Sequence, residues 1–258
     1  MTFIDQIETL DFVTDEGLGA RARLGLIVLQ TDQTIEQEFA KIFGAQAGVA
    51  LYVARIPNAM DVTPETLRQM ALDLTSTAEL LPASFGFDVI GYACTSGATM
   101  IGELSVGSLV RDAHRDAQNT NPITASKAAF AALGIKRIAL VTPYAPDVTL
   151  EMQANLRADG FDTIAVATFN QSDDFTVARI SPDSIFEAVL KIGAYEDCDG
   201  VFVACTSLRA MEIIARAEAE LNKPVISSNQ ALAWHMMRLV GLTSNCSKAG
   251  SLFNENLK

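Results

Sequence analysis

Histidine is nearly missing from this chain: there are two in 258 residues, His114 and His235. Neither has a histidine or cysteine at ligand spacing, so no zinc or haem site is expected. A hydrolase built on a cysteine nucleophile would lack its placed base. His114 sits in Arg111-Asp112-Ala113-His114-Arg115-Asp116, which reads as a solvated helix face. Cysteine is also scarce, with four residues, and in an intracellular chain these read as free thiols rather than a disulfide framework. Cys198 and Cys246 read as small buried hydrophobes. No uninterrupted apolar run approaches the length needed to cross a bilayer, so no membrane partner is expected. Met1-Thr2-Phe3-Ile4-Asp5 lacks the basic and apolar regions of a signal peptide, and a cytoplasmic location is expected. Basic side chains are outnumbered, 19 against 31 acidic, for a net charge of −12. That argues against nucleic acid, which rewards basic surfaces. A small anionic substrate stays open, because backbone N–H groups can make a site locally positive.

What is present is apolar. Hydrophobic residues make up 49% and charged residues 19%, the balance of a soluble globular protein with a large core. Residues 1–20 show no period and read as an N-terminal arm. Gly17 and Gly19 precede the first strand, so they do not form a dinucleotide motif. Leu24 to Leu29 is a continuous apolar run, the mark of a strand buried on both faces. A helix follows, with Thr34 and Gln37 in a capping-box pattern and Ile35, Phe39 and Ile42 on one face. Val49 to Val53 predicts a second strand, Thr63-Pro64 a helix start, and Val89 to Ala93 a third strand. The order then repeats. Arg137 to Val141 matches Arg23 to Ile27, Ile164 to Ala167 is a strand, Ser181-Pro182 opens a helix, and Val201 to Ala204 is a strand. Lys223 to Ser228 reads as an echo of residues 121–126. Alternating strands and helices make parallel α/β sheets. The expected architecture is two pseudo-symmetric lobes, each a parallel sheet of about four strands flanked by helices, with the active site in the cleft between them. Residues 21–118 and 229–258 would form the first lobe and residues 119–228 the second.

One stretch occurs twice: Ala93-Cys94-Thr95-Ser96 and Ala204-Cys205-Thr206-Ser207. Each follows an apolar run, each has an aspartate six residues before its cysteine (Asp88 and Asp199), and each leads into a helical pattern. Parallel sheets bind ligands at the carboxyl ends of their strands, where both cysteines fall. A thiol that opens a helix should gain thiolate character. Thr95, Ser96, Thr206 and Ser207 add hydroxyl and N–H groups able to hold a carboxylate. A thiol on each side of a substrate suits removal of a proton from one face and its return to the other. It also suits addition of one thiolate to a carbon while the second thiol handles a proton.

From about Leu24 to Leu242 the chain resembles the aspartate/glutamate racemase superfamily, in the branch of maleate cis–trans isomerases and arylmalonate decarboxylases. The resemblance rests on Ala93-Cys94-Thr95-Ser96-Gly97, Thr142-Pro143-Tyr144, Ala204-Cys205-Thr206-Ser207 and Pro224-Val225-Ile226-Ser227-Ser228-Asn229-Gln230-Ala231. It implies two α/β lobes, no metal or other cofactor, and catalysis by cysteines at the positions of Cys94 and Cys205. On that pattern Cys94 is the nucleophile, Cys205 the proton donor or acceptor, and Tyr144 a hydrogen-bond donor to substrate carboxylate. Residues 29–36 look similar to ectoine-utilisation proteins of the same branch.

Two departures bear on the substrate. Asp32 and Asp174 stand where the resemblance implies substrate-binding asparagines, and an ionised aspartate can only accept hydrogen bonds. Two added negative charges would repel a dicarboxylate. The expected activity is a cofactor-independent isomerase, a racemase, epimerase or cis–trans isomerase, acting on a small carboxylate or amino acid. The alternatives are a maleate isomerase proper, an arylmalonate-type decarboxylase, which would keep only the cysteine matching Cys205, and a non-catalytic binding protein. Assembly as a homo-oligomer is expected.

Overall fold

The computed structural model describes residues 7–44, 46–243, 246 and 249–258. Eight strands form two parallel sheets of four. In the first lobe the chain runs β1 (Ala22–Leu29), α1 (Ile35–Phe43), β2 (Val49–Ile56), α2 (Pro64–Gln69), α3 (Ala71–Ala78), β3 (Val89–Ala93), α4 (Thr95–Ile101), α5 (Glu103–Ala113) and β4 (Gln118–Thr120). After α6 (Pro122–Leu133), the second lobe runs β5 (Arg137–Thr142), α7 (Pro146–Ala158), β6 (Asp162–Thr168), α8 (Asp174–Val177), α9 (Pro182–Gly193), β7 (Gly200–Val203), α10 (Met211–Leu221) and β8 (Val225–Ser227), followed by α11 (Ser228–Leu239). The strand orders are β2-β1-β3-β4 and β6-β5-β7-β8, the same winding twice. Among the described residues no helix is long and apolar enough to cross a membrane.

The duplicated aspartates set the strand alignment. Asp88 Oδ2 accepts from the Arg23 N–H at 2.7 Å, and Asp199 Oδ2 accepts from the Arg137 N–H at 2.8 Å. Each therefore ties the start of its cysteine-bearing strand to the central strand beside it. Continuous burial of β1 and β3 follows from helices on both faces of a parallel sheet. Each sheet is covered in part by a helix that leaves the other. After β4, helix α6 crosses to the second sheet, where Phe130 meets Phe202 edge-on at 5.4 Å. After β8, α11 packs on β3 and β4. Gly91 of β3 allows that approach, since a Cβ there would lie 2.9 Å from Met236 Sδ.

Several expectations need correction. The second strand runs on to Ile56. The α1 capping box does not form: Asp32 Oδ1 accepts from the Thr34 and Ile35 N–H groups, while the Thr34 hydroxyl turns to the other lobe. The echo of the last strand is shifted, because Gly91 pairs with Thr120 and Phe202 with Ile226. Ser227 therefore corresponds to Asn121, and each caps the helix that follows. His114 is buried, its Nε2 2.9 Å from the Ala78 carbonyl oxygen and its ring edge-on to Phe87. The charged neighbours of His114 hid its inward position. Of the N-terminal arm, residues 1–6 lie outside the described ones. Residues 7–18 have no regular structure, and Ile7, Leu10, Phe12, Val13 and Leu18 are exposed.

Candidate active site

The carboxyl ends of β3 and β7 open on one cavity of about 20 Å³, room for about one water and far below the volume of an open ligand site, so the site is closed as it stands. Cys94 and Cys205 both line it, with Thr95, Ser96, Tyr144, Asp174, Thr206 and Ser207. Asp32 does not. It is buried beside the cavity as the cap of α1, with its Oδ2 lacking a hydrogen bond of normal geometry. Burial pushes its pKa up to about 6, against the lowering effect of the Ile35 and Thr34 N–H groups and the Thr206 hydroxyl. Among the described residues, no lysine, arginine or histidine lines the cavity. No cluster of three or more metal-ligating side chains occurs among the described residues either.

The two sulfurs are held differently. Cys94 is the N-cap of α4, with extended backbone at φ −146°, and its Sγ accepts from the Gly97 N–H at 3.2 Å. The Ser96 hydroxyl is 3.7 Å from that sulfur. Beneath it lies the fully buried Tyr92, whose hydroxyl reaches Met70 Sδ at 3.7 Å and interacts with Cys94. A Cβ on Gly97 would come 2.6 Å from that hydroxyl and 2.9 Å from the sulfur, so only glycine fits there.

Cys205 does not open a helix. A turn intervenes, and α10 begins only at Met211. Cys205 has φ +141°, a region that residues with a side chain rarely occupy and that recurs at functional sites. Its N–H donates to the Ser228 hydroxyl at 3.1 Å, and the Ser207 N–H donates to its sulfur at 3.4 Å. Thr95 donates to the same Ser228 hydroxyl at 2.8 Å, which links the two cysteine segments through the first residue of α11.

Neither thiol gains thiolate character in the resting site. Burial pushes Cys94 up to about 11, overriding the Gly97 N–H and the Ser96 and Tyr92 hydroxyls, and the Asp174 charge pushes it further. Burial and then Asp174 drive Cys205 well above the ordinary thiol range. A helix end carries only about half a charge, less than the cost of taking a thiolate out of water. Both sulfurs therefore carry protons near neutral pH.

Tyr144 is fully enclosed and bridges the pair, with its hydroxyl interacting with both Cys205 and Ser96. Asp174 is 3% exposed. Its Oδ1 accepts from the Ser207 hydroxyl at 2.9 Å and its Oδ2 from the Thr31 hydroxyl. Among the described residues no cation lines the cavity beside it.

The loop between β2 and α2 covers the cavity. The Val62 N–H donates to the Ser172 carbonyl at 2.8 Å and the Asp174 N–H to the Met60 carbonyl at 3.1 Å. Asp61 and Asp173 form a β-bridge between them. Backbone bonds of this kind leave no trace in side-chain pattern. The sequence assigns no site role to Tyr92, Ser228, Asn229 or the loop. Only Ser228 and Asn229 had a signal, lying inside the run Pro224 to Ala231.

A family model described as arylmalonate decarboxylase matches residues 24–253. A maleate isomerase of Pseudomonas putida KT2440 is 27% identical over 249 residues, covering 90% of this chain and 97% of its own length. A maleate isomerase of Alcaligenes faecalis is 24% identical over 253 residues, covering 90% and 96%. The crystal structure of a cysteine-to-alanine variant of the maleate isomerase of Pseudomonas putida S16, with maleate, superposes with a TM-score of 0.82. It is 25% identical, and the match covers 90% of this chain and 97% of that one.

Proposed function

Because the chain belongs to the arylmalonate decarboxylase family, within the maleate isomerase branch of the aspartate/glutamate racemase superfamily, we propose that it is a cofactor-independent isomerase. Its substrate is a small carboxylate that also bears an amine. The observation that carries this reading is one cavity walled by a cysteine from each lobe.

In a racemising or epimerising turnover, one sulfur works as a thiolate and the other as a thiol. The thiolate takes the proton from the α-carbon, breaking that C–H bond. The opposite thiol delivers its proton to the other face, making a new C–H bond and leaving the charge on the second sulfur. The resting site has two protonated thiols, so the substrate must favour loss of one proton. That proton passes to solvent as substrate enters, and a substrate ammonium beside Asp174 favours its loss by offsetting a charge that adds to burial, the larger cause, in raising both thiols. The N–H groups of Thr95, Ser96 and Thr206 and the Ser96 and Tyr144 hydroxyls suit the carboxylate, whereas the Thr95 hydroxyl is already given to Ser228.

The maleate isomerases among its relatives favour a second reading. Cys94 would add to a carbon–carbon double bond, the resulting single bond would rotate, and elimination would return the thiolate. Asp174 counts against a plain dicarboxylate, since its carboxylate oxygens already accept two hydroxyl protons and its charge repels.

A substrate panel in D₂O separates the readings: amino acids including diaminobutyrate derivatives, maleate and arylmalonates, followed by NMR. Deuterium at the α-carbon of an amine-bearing acid is the expected result. Conversion of maleate alone would establish the second reading, and release of carbon dioxide from arylmalonates would establish a decarboxylase. Cys94→Ser and Cys205→Ser should each lower turnover by about 10² or more. Unchanged turnover in both would sink the two-thiol mechanism. Binding without conversion would mark a binding protein.

A further inference from the structure

Cys205 keeps a backbone conformation that its own segment does not explain. We propose that Thr34, Glu38 and Asn229 are positioning residues, whose hydrogen bonds fix the Thr206–Ser207 turn and thereby hold Cys205 in its left-handed conformation. Cys94 needs no such support, because it has ordinary extended φ and its helix starts at the next residue. Strained backbone persists where surrounding contacts over-determine it.

Those contacts come largely from the other lobe. The Thr34 hydroxyl donates to the Ser207 carbonyl at 2.8 Å. The Asn229 amide donates to the Thr206 carbonyl at 2.8 Å and to Glu38 Oε2 at 2.8 Å. Glu38 Oε1 accepts from the Met211 N–H at 3.0 Å, the first amide of α10. The segment after Cys205 is thus gripped at its beginning and at its end. Thr34 and Glu38 belong to the first turns of α1, so one helix of the first lobe holds both ends of the second lobe's cysteine turn.

Glu38 is unusual in its own right. It is 5% exposed, and among the described residues it has no ion-pair partner within contact distance. A carboxylate in that setting is costly. Burial raises its pKa to about 7, with the Asn229 amide and the Met211 N–H pulling it back down. Both oxygens serve the turn, and a glutamine could not serve in the same way. Its amide would set an N–H against one of the two donors.

Site-resolved alkylation, read by mass spectrometry on the purified full chain with iodoacetamide, tests the assignment. Glu38→Gln and Thr34→Val should each speed alkylation of Cys205 by about tenfold or more, the scale of one lost bond to a buried acceptor, with Cys94 changed by less than about twofold. Thr34→Ser keeps the hydroxyl and should retain the wild-type rate. Equal acceleration of both cysteines would mean general loosening and would overturn the assignment, as would no change at either. Should Glu38→Gln fail to fold, the Thr34→Val and Thr34→Ser pair decides alone. The proposal rests on Cys205 being one of two working thiols, but alkylation needs no substrate. Loss of the selective effect overturns the clamp only, whereas unchanged turnover in Cys205→Ser overturns the two-thiol reading only.

Discussion

At the scale of single residues, the acids of this protein follow their surroundings more than their type. Asp32 and Asp174 look alike in sequence, each standing where the resemblance implies an asparagine. Asp174 faces the cavity and Asp32 does not. Asp32 instead caps α1 with one oxygen and buries the other with no hydrogen bond of normal geometry. Its folded pKa of about 6 lies above the ordinary value of 3.8, so the folded state binds its proton more tightly than the unfolded state. The stability that this gives is complete below about pH 4 and is lost as pH rises through 6, by about 3 kcal/mol as an upper figure. Asn is an equally good cap. Asp32→Asn should therefore be more stable than wild type at pH 7 and equal to it near pH 4, as read by urea midpoints. His235 slopes the other way, since burial depresses its pKa to about 4, and stability is lost as pH falls below about 6.5. Comparing the variant with wild type at each pH cancels that contribution. No gain at pH 7 would contradict the burial account.

At the scale of elements, what was legible depended on local physics. Apolar runs marked β1, β3 and β7 because a parallel strand is buried on both faces. Thr63-Pro64 and Ser181-Pro182 marked helix starts because the cap and the fixed proline φ act within one turn, and each side-chain cap is present. The two Ala-Cys-Thr-Ser stretches were misread as equivalent. The difference lies one residue beyond them. Gly97 leaves room for the Cys94 sulfur and Tyr92, whereas Leu208 stands at the matching place in the second copy. Tyr92 and the Glu38 grip depend on contacts between distant segments, which no periodicity reports. The packing of α11 on β3 gives a direct check. In Gly91→Ala the new methyl meets Met236 Sδ and Leu26, and the expected loss is about 1–3 kcal/mol in urea unfolding. A change near zero would mean that Met236 swings aside freely.

For the whole molecule, access to the cavity is governed by the two lobes together. The loop from Pro57 to Val62 lines the cavity and is tied to the second lobe by backbone bonds at Val62 and Asp174, so its release is the expected route of entry. Hydrogen exchange should find the Val62 and Asp174 amides exchanging faster than those of β1 and β3, and slowing when a ligand fills the cavity. Equal protection in the free and filled protein would argue for another entrance. The traded helices have a further consequence, for synthesis on the ribosome. The face of β3 and β4 that α11 covers stays bare until β8 has formed, a full lobe later in the chain. The first half therefore cannot finish folding as it emerges, and it spends translation with an apolar sheet face open to chaperones or to a neighbouring nascent chain. Ser228, which joins the two cysteine segments, arrives with that same helix. A chain caught short of α11 should thus be inactive as well as sticky, because its first thiol would lack part of its setting.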